Sequence, residues 1–219
     1  MAEVVSPGRQ GSASRKVDSG ADGRNQAVTR AVFLDRDGVI NQKAPGGGYV
    51  TRWEDFHLLP GVIEGIAQLN RAGLRVIVVT NQRCVAKGLL TEADLEKLHR
   101  QMCQHLRSAG ARIDAIYYCP HELEPACDCR KPAPGMLLEA ARTHGLDLAT
   151  SWMIGDSDSD IQAGKNAGCR TARLSVKKRT ENDATADRPA GEADIVAVSF
   201  LDAIEQILQA IRERETENV

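Results

Sequence analysis

Aromatic side chains are scarce in this sequence: Phe, Tyr and Trp together make up 4% of 219 residues. A core for a chain of this length must then be built mainly from aliphatic side chains. Charge imbalance is lacking too, with 28 Lys and Arg against 30 Asp and Glu, a formal net charge of −2. A dedicated nucleic-acid binder would carry a basic face, so that class is set aside. The sequence holds no apolar stretch approaching the ~20 residues that span a bilayer. Its N-terminus has no apolar segment of the secretory kind. Evenly spaced, pairable cysteines are also missing. Three of the six cysteines crowd into one short segment, which fits a reducing, cytoplasmic setting and a metal better than disulfides.

What the chain does have is strand and helix in alternation. Residues 1–26 are polar and nearly free of large apolar groups, which predicts a disordered tail. After them, 30–34, 75–79, 113–118, 152–154, 171–174 and 194–200 read as strands. Helical spacing marks 61–72, a long stretch from the capping box at Thr91 to about 109, then 134–142, 161–167 and 201–212. A polar surface loop is expected over 177–192 and a frayed end over 214–219. This alternation predicts an α/β fold, a doubly wound parallel sheet covered on both faces, as one domain over 27–213.

The chemistry gathers where the predicted strands end. The first gives Asp35 and Asp37, the second Thr80, and the fourth Asp156, with Ser157, Asp158 and Asp160 just beyond. Alone, Asp35-Arg36-Asp37 would read as a polar strand exit or an Asx turn. In a doubly wound sheet, however, these strand ends converge on one edge. Lys131, in Cys129-Arg130-Lys131-Pro132, precedes a helix. Acids, a hydroxyl and a lysine in one crevice suit phosphoryl transfer. Acids hold Mg²⁺, one acid attacks phosphorus, and lysine and hydroxyl bind phosphoryl oxygens. Gly46-Gly47-Gly48 lacks the Lys-Ser/Thr of a Walker loop and reads as a rim of this crevice.

Four motifs carry a resemblance: Asp35-Arg36-Asp37-Gly38, Thr80-Asn81-Gln82, Arg130-Lys131-Pro132 and Gly155-Asp156. Together they resemble those of the haloacid dehalogenase (HAD) superfamily of phosphatases. The resemblance implies that Asp35 is phosphorylated and that Asp37 serves as general acid and then base. Thr80 and Lys131 would orient the phosphoryl group. Asp35, the Asp37 backbone carbonyl and Asp156 would hold Mg²⁺.

A second cluster, Cys119-Pro-His121 followed by Cys127-Asp-Cys129, offers three thiols and an imidazole within eleven residues. Such spacing fits a tetrahedral structural zinc site that pins the segment leading into Arg130 and Lys131. With this loop, Gly48-Tyr49-Val50, Tyr117-Tyr118 and Pro134-Gly135-Met136-Leu137-Leu138, the chain resembles the D-glycero-D-manno-heptose 1,7-bisphosphate 7-phosphatases. That resemblance implies a small HAD enzyme with loops in place of a cap domain. It would remove the C7 phosphate of a small phosphorylated sugar, with Gly48 and Tyr49 at the entrance and Arg130 on the retained part. Thr80, Asn81, Gln82, Arg83 and Lys131 would line the substrate side.

Two positions depart from the family pattern. Arg83-Cys84 follows Gln82 where Ser-Gly is usual, and Ser157 follows Asp156 where Lys is frequent. A cation beside the phosphate site offers a further contact to a second phosphate or narrows the pocket. Other readings stay open: a histidinol-phosphate phosphatase, which has a similar zinc loop, a polynucleotide 3′-phosphatase, or an idle binding protein on the same fold. His99 and His105 read as solvated or packed helix positions, and Cys84, Cys103 and Cys169 as small packed hydrophobes. With no long apolar surface stripe in the sequence, a monomer is expected.

Overall fold

A computed structural model describes residues 3–5, 29–175 and 192–217. Its strands are β1 (Glu3–Val5), β2 (Ala31–Leu34), β3 (Arg75–Asn81), β4 (Ala115–Cys119), β5 (Trp152–Gly155), β6 (Arg170–Leu174) and β7 (Ile195–Ala197). Between and after them run α1 (Val62–Arg71), α2 (Glu92–Ser108), α3 (Gly135–His144), α4 (Asp158–Ala167) and α5 (Phe200–Glu217).

All seven strands form one parallel sheet in the order β1-β4-β3-β2-β5-β6-β7. Strand β2 is buried at every position, as a continuous apolar run in a doubly covered sheet should be. Successive side chains point to opposite faces and sort into two cores. Val32, Leu34, Val76, Val78 and Ile154 meet residues of α1, α2 and α5 on one face. Ala31, Phe33, Ile77, Val79 and Met153 meet α3 and α4 on the other. From β2 the chain first builds outward through β3 and β4, then returns to place β5 on the opposite side of β2. Strand order therefore reverses between β2 and β5. Open α/β sheets form their binding crevice at such a point, beyond the strands' carboxyl ends.

Three expectations change. Glu3–Val5 pairs in parallel with Ala115, Ile116 and Tyr117, so the tail of 1–26 contributes an edge strand. The exposed edge of β4 accepts any short extended segment with free backbone groups, and Val4-Val5 supplies one. The strand expected over 194–200 stops at Ala197, and Phe200 already opens α5, packed in the core. Helix α5 also runs to Glu217 where fraying was expected, and Glu215 reaches back to Arg30 at 2.6 Å. The loop expected over 177–192 lies outside the described residues, save Glu192.

Candidate active site

Asp35 directly follows β2, and its backbone N–H still donates to Ile154 O of β5 at 3.0 Å. That bond holds the carboxylate at the reversal point. Lys131 arrives from the segment before α3 and is 4% exposed. Its Nζ donates to Asp35 Oδ1 at 2.7 Å and to Val79 O at 2.8 Å, and pairs with Asp160 Oδ1 at 2.6 Å. An ammonium has three donors, and these three acceptors use them all. Burial would lower the Lys131 pKa, but Asp35 and Asp160 outweigh it and push it up to about 12. For Asp35 burial wins. Despite the ammonium, and helped by repulsion from Asp160 and Asp37, its pKa is pushed up to about 7.

Asp37 faces a different field. Burial opposes its charge, yet Arg36 and two amides hold it below the usual carboxylate range. The Arg36 guanidinium, fully buried, donates from Nη2 to Oδ1 and Oδ2 of Asp37 at 3.0 and 2.8 Å. Asn41 Nδ2 donates to Oδ1 and Gln82 Nε2 to Oδ2, each at 2.9 Å. Gln82 also donates to Thr80 Oγ1 at 2.9 Å, which ties the hydroxyl to the same constellation. Behind Arg36 lies His99 of α2, whose Nε2 is 3.2 Å from Nη1. Burial, then Arg36, holds the imidazole pKa well down, so His99 is neutral and Nε2 accepts. It is packed, and not solvated.

Asp156 stands just past β5, reached over Gly38. A Cβ at Gly38, where φ is +98°, would lie 2.1 Å from Asp156 Oδ2. Only glycine lets that turn approach so closely. Asp156 Oδ2 pairs with Lys43 Nζ at 2.6 Å, while its buried Oδ1 has no hydrogen-bond partner among the described residues. Carboxylate oxygens of Asp35, Asp156 and Asp160 lie within 4.8 Å of one another. An orphaned buried oxygen among gathered carboxylates fits a hard divalent cation.

Asp160 is the main site residue that the strand-end reasoning left without a role. Its Oδ1 takes Lys131, and its Oδ2 accepts from the Ser157 backbone N–H and hydroxyl at 3.1 and 2.6 Å. A capping pattern, Ser157-x-x-Asp160, was the available signal. Arg36 was overlooked because a basic residue between two acids reads as solvated polarity, whereas here it is fully buried.

The substrate-side residues divide. Asn81 exchanges two 3.1 Å hydrogen bonds with the Lys131 backbone, so it fixes the lysine's main chain. Arg83 pairs with Glu122 at 2.5 Å, and Arg130 Nη1 donates to His121 O at 3.3 Å. Both reach toward the cysteine loop. Gly48 is exposed, and the Tyr49 ring lies 5.3 Å from the Lys87 ammonium. The link from this segment to the Asp35 and Asp37 turn runs through the next residue, where Arg36 Nη2 lies 3.5 Å from Val50 O.

The cysteine loop leads straight into Lys131. Cys119, His121, Cys127 and Cys129 bring their ligand atoms within 4.8 Å of one another, and all three thiols are free. Sγ of Cys119 is 3.6 Å from that of Cys127 and 3.7 Å from His121 Nδ1; Cys129 Sγ is 3.2 Å from Nδ1 and 3.4 Å from Cys127. A hydrogen bond from Cys129 lowers the Cys119 pKa to about 5, while the same bond raises that of Cys129. Gly135 N–H donates to Asp128 O at 3.0 Å, docking this loop onto α3.

Residues 128–203 match the HAD-hydrolase-like family. A relative from Escherichia coli K12, named D-glycero-beta-D-manno-heptose-1,7-bisphosphate 7-phosphatase, is 38% identical over 84% of this chain and 95% of its own. A protein of the same name from Rhodopseudomonas palustris is 46% identical over 63% of this chain and 79% of its own. Among solved structures, the D,D-heptose 1,7-bisphosphate phosphatase of B. bronchiseptica, complexed with magnesium and phosphate, superposes with a TM-score of 0.72. It is 35% identical and covers 83% of this chain and 99% of that one. With 38% identity over 95% of the Escherichia coli relative and 35% over 99% of the B. bronchiseptica structure, the chain belongs to the heptose-bisphosphate phosphatase family of HAD-type phosphatases.

Proposed function

We propose that this chain hydrolyses the C7 phosphate ester of D-glycero-β-D-manno-heptose 1,7-bisphosphate and leaves the C1 phosphate in place. The observation that carries the chemistry is the Asp35 carboxylate held 2.7 Å from the buried Lys131 ammonium at the sheet's reversal point. The names of the relatives support the substrate and its anomer.

In this reading an Asp35 oxygen attacks phosphorus, and the bond from phosphorus to the sugar's O7 breaks. Asp37 delivers the proton that O7 needs; water then cleaves the aspartyl-phosphate with Asp37 as base, which regenerates Asp35 and frees phosphate. Held on Arg36 as a carboxylate, Asp37 is arranged for the base half. A phosphate dianion arriving beside it opposes the Arg36 field and favours the protonated form needed for the acid half. Lys131, once it exchanges one of its three acceptors for a phosphoryl oxygen, and Thr80 would orient the phosphate, with Gln82 linking Thr80 to Asp37. Asp35, Asp156 and the Asp37 backbone carbonyl would hold Mg²⁺, which neutralises phosphate charge that would repel the nucleophile. Gly48, Tyr49 and Arg130 would border the sugar. Arg83 must leave Glu122 to reach a phosphate, so we read it as a rim residue.

Zinc suits the second cluster. Tetrahedral Zn²⁺ with bonds of ~2.3 Å to sulfur and ~2.0 Å to nitrogen sets ligand separations of roughly 3.5 to 3.8 Å. The separations of 3.2 to 3.7 Å lie close to that range. Stripping zinc with a chelator and restoring Mg²⁺ should cost about 10- to 100-fold in kcat, because Lys131 sits two residues past Cys129. Metal analysis and a zinc add-back measure this, and full activity in zinc-free protein would refute it. A reducing cytoplasm would keep these thiols available.

Phosphate release with Mg²⁺ tests the substrate. The panel holds both heptose bisphosphate anomers, histidinol phosphate, fructose bisphosphate and a 3′-phosphorylated oligonucleotide. A preference of about tenfold or more in kcat/KM for the β anomer is expected. Comparable turnover across the panel, or a lead for histidinol phosphate, would overturn the substrate.

A further inference from the structure

A buried histidine of α2 has no task in the chemistry above. Helix α2 buries Leu95, Leu98, His99, Met102 and Leu106 along one face, so His99 occupies a core position, fully out of solvent. Its ring meets that of Tyr118 edge to face with centroids 5.9 Å apart, and its Nε2 lies 3.2 Å from Arg36 Nη1. A guanidinium only donates, so Nε2 accepts and the ring proton sits on Nδ1. That Nδ1 is buried and has no hydrogen-bond partner among the described residues. An unpaired buried N–H destabilises a fold, and an apolar side chain in its place would carry no such cost. The imidazole is therefore explained by what Nε2 does.

Nε2 holds Arg36. Among the described residues it is the only hydrogen-bond partner of Nη1, while Nε and Nη2 are turned to the Asp37 carboxylate. Asn41 and Gln82 each steady one Asp37 oxygen, whereas Arg36 reaches both. Without an acceptor at Nη1, a fully buried cation would carry an unmatched donor, and the fork would turn to satisfy it at the expense of Asp37. A carboxylate at position 99 would satisfy Nη1 but compete with Asp37 for the guanidinium charge. A neutral acceptor satisfies the donor and leaves that charge to Asp37.

We infer that His99 is a positioning residue for the proton transfers of the reaction: by accepting from Arg36 it fixes the guanidinium fork that aims the Asp37 carboxylate at the leaving oxygen. This rests on the reading of Asp37 as general acid and base, and not on the heptose as substrate. Its effect is confined to steps in which Asp37 moves a proton. Breaking the phosphorus–oxygen bond of an alkyl phosphate needs that proton, whereas p-nitrophenyl phosphate releases a stable phenolate without one.

Kinetics of His99→Phe and His99→Gln with Mg²⁺, on p-nitrophenyl phosphate and on the best alkyl phosphate of the substrate panel, test it. Here kcat/KM covers the reaction up to departure of the leaving group. In His99→Phe, which keeps a ring but no acceptor, it should fall about tenfold or more for the alkyl ester and less than about threefold for the aryl ester. His99→Gln offers an amide oxygen in place of Nε2 and should bring the alkyl value to within about threefold of wild type. Asp37→Asn is the control, and it should discriminate between the esters in the same direction. Equal losses on both esters in His99→Phe, with Asp37→Asn discriminating, would reduce His99 to packing and overturn the inference. So would undiminished alkyl turnover, or a glutamine no better than phenylalanine. An Asp37→Asn variant that fails to discriminate would instead overturn the acid–base reading, and the inference with it. Should His99→Phe fail to fold by circular dichroism, His99→Leu takes its place.

Discussion

Asp35→Asn should lower phosphate release by about 10⁴-fold or more while making the Mg²⁺-free protein more stable above pH 7. The activity loss follows from chemistry, since an amide cannot form the acyl phosphate on which both half-reactions depend. The stability gain follows from burial. Asp35 has its pKa raised from 3.8 to about 7 in the folded chain, so the fold binds a proton that the unfolded chain releases. Stability supplied by that proton is present at low pH and fades as pH rises from about 4 through 7. The neutral amide of the variant resembles the protonated acid and loses nothing over that window. At pH 8 the difference is of order 4 kcal/mol. Thermal melts of both proteins from pH 5 to 8 should therefore diverge as pH rises, and Mg²⁺ should narrow the gap by favouring the carboxylate. Parallel melting curves would show that Asp35 is not destabilised. Retained turnover would remove Asp35 as the nucleophile.

The legible parts of this protein were those written locally. The apolar run of β2 with an acid at its end, the aliphatic run of β3, and the crowded cysteines each need only a short window to read. Alternation of strand and helix then fixes the edge on which Asp35, Thr80 and Asp156 meet. What stayed illegible is long-range. Nothing near Val4 announces that it pairs with Ile116, 112 positions away in sequence. Arg36 and His99 are both polar by composition, and only the closure of α2 over the Asp37 turn makes them a buried pair. Arg83, read as a departure close to the phosphate, turns out to be held by Glu122 in the cysteine loop. Asp160 had a local signal in its capping pattern, but its larger task is set by Lys131, 29 residues earlier in sequence. A motif thus singles out candidate reacting groups, while the side chains that hold them emerge only with tertiary structure.

Lys131→Met should cost both activity and stability, and a second substitution separates the two. Methionine keeps much of the length of the aliphatic stem but leaves Asp35 and Asp160, both largely buried, with no cation between them. Removing one partner from a buried ion pair costs roughly 3–5 kcal/mol. Turnover should fall by about 10²- to 10³-fold, because no ammonium would meet the phosphoryl oxygens as charge develops. Adding Asp160→Asn removes one stranded charge while keeping an oxygen for Ser157. The double variant should therefore recover a large part of the lost melting temperature, a non-additive result expected for groups in direct contact. Its turnover should stay low, since the phosphate would still lack its ammonium. Recovery of both together would mean that Lys131 acts only by holding the carboxylates in place. Recovery of neither would mean that the Asp160 carboxylate has a duty beyond the lysine, such as holding the cation that Asp35 and Asp156 are arranged to share.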